Sequence, residues 1–155
     1  MCNYCVANLS LTCKDARLLN GSDGGSVIPQ AVQEMWATDL ASRSLGMELI
    51  SAGIGHAVVR MPVTDAMING HDVAHGGYLF LLADSAFACA CNSHGPVTLA
   101  AGADITFIAP VKLGDILEAR AVERVRFGRS GICDVTVYRG DEVVAEFRGR
   151  SRTIG

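Results

Sequence analysis

The stretch "NGHDVAHGGYLFLLADSAFACACNSHG", Asn69 to Gly95, decides the fold. From Tyr78 to Cys91 nearly every position is apolar. Wound as a helix, this run has no polar side to give to water, so it must be buried all round. It is shorter than the ~20 residues a helix needs to cross a bilayer. The cover must therefore come from the rest of the chain. A single carboxylate, Asp84, sits within the run, and it needs a physical reason to be there.

The segments on either side supply the cover. Pro29 suits the first turn of a helix, and Val32, Met35, Trp36 and Leu40 recur at helical spacing after it. "MELISAG" and "HAVVRMPVT" read as two strands joined near Gly53 and Gly55. In the second, either Val58, Arg60 and Pro62 or Ala57, Val59 and Met61 face the core. After the apolar run, strands dominate. "TLAAGADITFIA" (Thr98–Ala109) stops at Pro110. "DILEARAVERVRF" (Asp115–Phe127) puts Leu117, Ala119, Ala121, Val125 and Phe127 on one face. Glu118, Arg120, Arg124 and Arg126 point the other way. "GICDVTVY" and "EVVAEFRGRSRTI" flank Arg139-Gly140-Asp141, a hairpin turn. Strands gathered around one long helix give an α+β protein with an antiparallel sheet.

The chain has 155 residues, which suits one domain. Half its residues are apolar, and its net charge of −3 argues against non-specific nucleic-acid binding. Residues 1–28 read as a flexible extension, with linker composition from Leu18 to Val27. Residues 29–155 form the domain. Cys2 and Cys5 have C-x-x-C spacing, but no second pair completes a zinc site. Cys89, Cys91 and Cys133 fall in apolar or strand-like segments, where a buried free thiol is the default. No signal peptide is visible, and a cytoplasmic, reducing location fits.

The apolar helix opens at His75-Gly76-Gly77. Two glycines destabilise a helix by roughly 1 kcal/mol each relative to alanine. They make sense where backbone must approach a ligand closely. A helix N-terminus offers free N–H donors and a positive dipole end, which together suit a carbonyl that becomes an oxyanion. Gly76 and Asp84 are eight residues apart, about 12 Å along one helix. Groups that act on one carbonyl must lie roughly 3–3.5 Å from it. A single helix cannot meet that requirement. Two antiparallel copies can, with Gly76 of one opposite Asp84 of the other, and the chemistry then needs a homodimer.

"NGHDVAHGGYLFLLADSAFACACNS" resembles the central motif of the hotdog-fold thioesterases of the phenylacetate-degradation (PaaI) type. The likeness extends upstream to "MWATDLASRSLGMELI" and downstream to "EFRGRSRTIG". It implies a hotdog fold, an antiparallel sheet of five to six strands wrapped around one long central helix. It also implies dimers that join into tetramers and hydrolysis of acyl-coenzyme A thioesters, with hydroxyphenylacetyl-CoA and phenylacetyl-CoA-like aryl substrates preferred. By resemblance, Asp84 is the catalytic carboxylate, Gly76 the backbone oxyanion donor, and Asn69 and His75 polar groups lining the site, beside Gly77. Coenzyme A is part of the substrate, and no separate cofactor is implied. Asp84 either attacks the carbonyl or activates water as a general base.

Other signals compete less well. His71 and His75 have H-x-x-x-H spacing, but the glycines put both in a loop and no third ligand accompanies them. No Ser sits in a G-x-S-x-G elbow, and no P-loop is present. Arg148, Arg150 and Arg152 alternate on the last strand, while Arg126 and Arg129 flank a turn. Singly these are solvated strand residues. Arg126, Arg129, Arg150 and Arg152 together could hold the phosphates of coenzyme A. A hotdog hydratase or dehydratase would need His75 and Asp84 around the substrate's α and β carbons. A non-catalytic acyl-CoA-binding regulator would keep the pocket but lose the carboxylate. Neither nucleic acid nor membrane is expected as a partner.

Overall fold

The computed structural model describes residues 27–154. Cys2, Cys5, Cys13 and nearly all of the linker-like extension lie outside these residues. Helix α1 (Gln30–Thr38) starts directly after Pro29, which stands at its N-cap with φ −54°. The helical stripe was expected to run to Leu40, and it breaks earlier. Asp39 takes an extended conformation and caps a second short helix, α2 (Leu40–Ser44). Its carboxylate accepts from the Ser42 backbone N–H at 3.0 Å and from the Ser42 hydroxyl at 2.6 Å. Capping by an Asp stabilises a helix start, so the local bond wins over the continued 3.6 period. Leu40, expected on the buried stripe, is left 74% exposed.

Strands β1 (Glu48–Gly53) and β2 (His56–Pro62) form a hairpin closed at Gly55, whose φ of +72° glycine adopts without strain. Ala57, Val59 and Met61 are the residues that face inward, and all three are fully buried. Helix α3 (Gly76–Asn92) follows a short 3₁₀ turn at Asp65–Met67. Then come β3 (Thr98–Phe107), β4 (Ile116–Phe127), β5 (Ser130–Arg139) and β6 (Glu142–Thr153). β3 ends before Pro110: the N–H groups of Ile108 and Ala109 both turn to Val144 O instead of continuing the ladder. Gly140, with φ +59°, turns β5 into β6.

All pairings are antiparallel, and the strand order is β1-β2-β4-β5-β6-β3. The sheet curls around α3, which touches all six strands. Leu82, Ala83, Ala86, Cys89 and Ala90 of the helix are completely buried. A close approach seats the helix on β6. A Cβ at Gly149 would lie 2.4 Å from the Phe87 ring, so the absence of a side chain there is what lets the ring approach the strand. Cys89, Cys91 and Cys133 are buried free thiols.

Strand β4 departs from simple alternation. Leu117, Ala119 and Ala121 face the core as expected, but the register slips between Glu123 and Val125. An inserted residue moves everything beyond it to the opposite face. Val125 and Phe127, expected inside, are therefore 44% and 64% exposed. Arg126, expected outside, is half-buried.

Candidate active site

The Tyr78–Cys91 run was expected to be buried all round, but the sheet leaves one stripe of α3 uncovered, and Asp84 lies on it with Gly77, Leu81 and Ala88 at helical spacing. It is half-buried, and burial pushes its carboxyl above its ordinary value of 3.8. Its neighbour Ser85 does not satisfy it. The Ser85 hydroxyl bonds Ser42 at 2.8 Å and so ties α2 to α3. Among the described residues Asp84 takes part in no hydrogen bond or ion pair, and its oxygens are not sealed from the surface. An unpaired carboxylate in a partly dry setting is primed to accept a proton or attack a carbon.

Asp84 opens on a groove of about 490 Å³ between α3, α1 and the start of β3. Ala31, Glu34, Met35 and Thr38 give one wall, spaced as one face of α1. Phe87 and Ala88 of α3 line it beside Asp84, as do Val97 and Leu99 around the start of β3. Sequence reading missed the α1 wall. Its stripe is mixed in polarity, so it looks like an ordinary surface face until the groove is seen.

The N-terminus of α3 is organised by His75. Its Nδ1 accepts from the Gly77 N–H at 3.0 Å, and its carbonyl accepts from the Tyr78 N–H at 2.9 Å. An accepting Nδ1 places the proton of the neutral ring on Nε2. Of the two glycine N–H groups, Gly77's is thus engaged, while Gly76's has no hydrogen-bond partner among the described residues. Both glycines also have structural reasons. A Cβ at Gly76 would lie 2.7 Å from the Phe107 ring, and one at Gly77 3.2 Å from His75 Nδ1.

Asn69 closes the loop before the helix. Its N–H donates to Val73 O at 2.8 Å, and its Oδ1 accepts from the His71 N–H at 2.8 Å. The turn puts Asp72 at φ +57° and is sealed by a bridge between Ile68 and Ala74. The Asn69 amide NH₂ carries no bond among the described residues and can donate to a ligand. No cluster of three or more His, Cys, Asp or Glu suited to a metal, His71 and His75 included, occurs among the described residues.

The single chain separates these groups. Asp84 lines the groove just described. Asn69, His75 and Gly77 line a second hollow of about 420 Å³ with Tyr78 and Leu81. Gly76 lines a third, of about 320 Å³, against Leu79 and Phe107. The arginines are divided as well. Arg150 and Arg152 stand on the outer face of β6, since the alternating Gly149 and Ser151 face the helix. Arg150 pairs with Asp104 at 2.5 Å, as Arg148 does with Asp134. Arg129 donates to Thr153 O and Arg152 to the Ser130 hydroxyl, so these two meet at one end of the sheet, near Arg126 opposite Gly131. Arg126, Arg129 and Arg152 form no ion pair among the described residues.

No described helix is long and apolar enough to cross a membrane. Comparison with known proteins bears on the same residues. The sequence model of the "Thioesterase superfamily" matches residues 71–146, from the loop before α3 into β6. The chain is 42% identical over 127 residues to "Acyl-coenzyme A thioesterase PaaI" of Escherichia coli K12, covering 81% of this chain and 91% of that protein. The solved structure of the E. coli PaaI protein superposes with a TM-score of 0.80, over 81% of this chain and 92% of that one. A mutant of the phenylacetic acid degradation protein PaaI from Thermus thermophilus gives 0.73 at 35% identity, over 75% of this chain and all of that one. A Streptococcus mutans UA159 protein solved bound to acetyl CoA gives 0.68 at 27% identity, over 70% of this chain and 89% of that one. With its six-stranded antiparallel sheet around one buried helix, the chain belongs to the thioesterase superfamily, as a hotdog-fold enzyme of the PaaI type.

Proposed function

We propose that the protein hydrolyses acyl-CoA thioesters to the free acid and coenzyme A, and that its acyl groups are aryl-acetyl, such as phenylacetyl and hydroxyphenylacetyl. The observation that carries this reading is the placement of Asp84. It is a half-buried carboxylate with no partner among the described residues, opening on a mostly apolar groove. Similarity to the E. coli acyl-coenzyme A thioesterase and to the S. mutans protein bound to acetyl CoA supports the thioester and its carrier.

The site is shared by two chains. Asp84 and Gly76 stand about 12 Å apart along α3, too far to act on one carbonyl. β3 is an edge strand with an open ladder, and Leu99 and Phe107 on it are 54% and 51% exposed. An open, apolar edge invites a second strand. Antiparallel pairing of two β3 strands has two-fold symmetry and would set the α3 stripes side by side in opposite directions. Gly76 of one chain then faces Asp84 of the other. Pairs of such dimers form the tetramer.

In the shared site the Gly76 N–H donates to the thioester carbonyl and stabilises the negative charge that grows on it. The α3 dipole adds to this. Asn69 orients the thioester or the water through its free NH₂, and His75 holds the loop and helix start in place. Asp84 follows one of two courses. It attacks the carbonyl carbon, expels the thiolate of coenzyme A and leaves an anhydride that water cleaves. Alternatively, it takes a proton from a water molecule that attacks directly. Either course converts one thioester and one water to one acid and one thiol. Arg126, Arg129 and Arg152 take the phosphates of coenzyme A, with Arg150 beside them. The reaction needs no separate cofactor, and the buried free thiols suit a reducing, cytoplasmic setting.

A hydratase would need His75 as a proton carrier, and its Nδ1 is already committed to the helix cap. The test is release of thiol from phenylacetyl-CoA and hydroxyphenylacetyl-CoA by wild type and by Asp84→Ala. Wild-type turnover, with at least ~10²-fold loss in a folded Asp84→Ala protein, is expected. Near-normal turnover in that variant would overturn the assignment of Asp84. Single turnover in ¹⁸O water separates the two courses: label enters the Asp84 carboxylate only if an anhydride forms.

A further inference from the structure

The walls of the Asp84 groove contain five polar side chains: Glu34, Thr38, Asp84, Asn92 and Thr98. Three of them are already engaged. Asn92 donates to Thr98 O at 2.8 Å and accepts from the Thr98 N–H at 2.9 Å. The Thr98 hydroxyl bonds Pro96 O and the Thr153 hydroxyl. The Thr38 hydroxyl donates back to Met35 O at 3.1 Å within α1. The carboxylates of Asp84 and Glu34 remain.

Glu34 sits one helical turn before Thr38 on the α1 stripe that faces the groove. Its Oε1 accepts from the Gln30 amide at 2.7 Å, an i to i+4 bond that steadies the side chain. Among the described residues its Oε2 has no hydrogen-bond partner and no cation pairs with it. A ligand held against Met35, Phe87 and Ala88 with its carbonyl at Asp84 would therefore meet one further charged group, on the α1 wall. That group is a bare acceptor carrying negative charge.

We infer that Glu34 is a specificity-determining residue: it favours acyl groups that carry a hydrogen-bond donor at their distal end and rejects those that end in a carboxylate. The inference rests on the proposed thioesterase reading. A neutral hydroxyl can donate to Glu34 Oε2, whereas a second carboxylate would stand between Glu34 and Asp84 and be repelled by both. An acyl group with neither feature is accepted on its apolar contacts alone. Because Glu34 is exposed to water, the gain from a donor falls at the low end for a bond to a charged acceptor, about tenfold in kcat/KM.

The experiment compares phenylacetyl-CoA, its 3- and 4-hydroxy derivatives and its 4-carboxy derivative as substrates of wild type, Glu34→Ala and Glu34→Gln. Wild type should favour the better hydroxy isomer over phenylacetyl-CoA by about tenfold and use the carboxy derivative worst. Glu34→Ala should bring the hydroxy-to-plain ratio close to one. Glu34→Gln should keep part of that ratio, because the amide oxygen still accepts, and should turn over the carboxy derivative better than wild type does. Alanine and glutamine are both good helix formers, so α1 is expected to survive either change. A wild-type ratio near one, or a ratio that Glu34→Ala leaves intact, would overturn the inference while leaving thioesterase activity standing. Absence of thiol release from all four thioesters by wild type would instead overturn the proposed function, and this inference with it.

Discussion

Replacing Gly76 by proline, with alanine as its control, isolates the proposed oxyanion donor. Either residue adds a Cβ that would lie 2.7 Å from the Phe107 Cζ and 3.1 Å from each Cε. The ring must retreat by roughly 0.7 Å to reach ordinary contact. Phe107 is 51% exposed in the single chain, and on the β3 edge proposed to meet a second chain the shift falls equally on both variants. Alanine also favours the helix by up to about 1 kcal/mol over glycine. The stability of Gly76→Ala should then lie within about 1 kcal/mol of wild type. Proline at this position removes the N–H and adds little further strain. Gly76 is the first residue of α3, where proline is tolerated. His75 before it, at φ −64° and ψ 131°, already has the conformation a residue preceding proline requires. The difference between the two variants is therefore the N–H itself. Loss of one oxyanion donor lowers kcat by about 10²–10³, or ~2.7–4 kcal/mol. Thiol release from phenylacetyl-CoA gives kcat, and far-UV circular dichroism with thermal melts gives the fold. A folded Gly76→Pro protein with kcat within a few-fold of Gly76→Ala would refute the donor role.

Asp84→Asn should lose activity yet melt at a higher temperature than wild type at neutral pH. Burial raises the carboxyl in the folded state above 3.8, so ionising it costs folding free energy. The cost is absent below pH 3.8 and appears as pH climbs through the raised value, so melts across that window should converge at the acid end. The acid limb of kcat/KM should likewise fall above 3.8, because Asp84 acts only when ionised. Arg152→Ala or Arg129→Ala should raise KM for coenzyme A thioesters more than it lowers kcat, because phosphate contacts remote from the carbonyl bind ground and transition states alike. A pantetheine thioester without the nucleotide should show little difference, and an equal response to both substrates would make these arginines structural.

Much of the architecture is legible in the residues. The apolar run Tyr78–Cys91 calls for a covered helix, which the sheet provides on every side but the Asp84 stripe, and Pro110 and Gly140 punctuate the strands that cover it. What escapes is settled by single local bonds. The Asp39 cap splits one expected helix in two, although Leu40 continues the apolar spacing. An inserted residue in β4 turns Val125 and Phe127 outward, and no composition signal marks it. At the site, Asp84 and Gly76 stand out in the sequence because a lone carboxylate and paired glycines are costly in a helix. Their distribution over separate hollows is a tertiary fact. So is the engagement of the Gly77 N–H by His75, since the sequence shows only that a histidine precedes two glycines. The role of Glu34 is invisible until the bonds of Thr38, Asn92 and Thr98 have been traced.

The claim that each site draws on two chains has one direct test. Asp84→Ala and Gly76→Pro are each prepared as homodimers and shown to be folded and inactive. The two are then unfolded and refolded together. In a mixed dimer one site inherits both lesions and the other neither. With random mixing about half the dimers are mixed, and each has one intact site of two, so roughly a quarter of wild-type activity should return. Each variant refolded alone should stay inactive. If mass spectrometry shows mixed dimers and no activity returns, Asp84 and Gly76 do not act across an interface, and the shared-site account is contradicted.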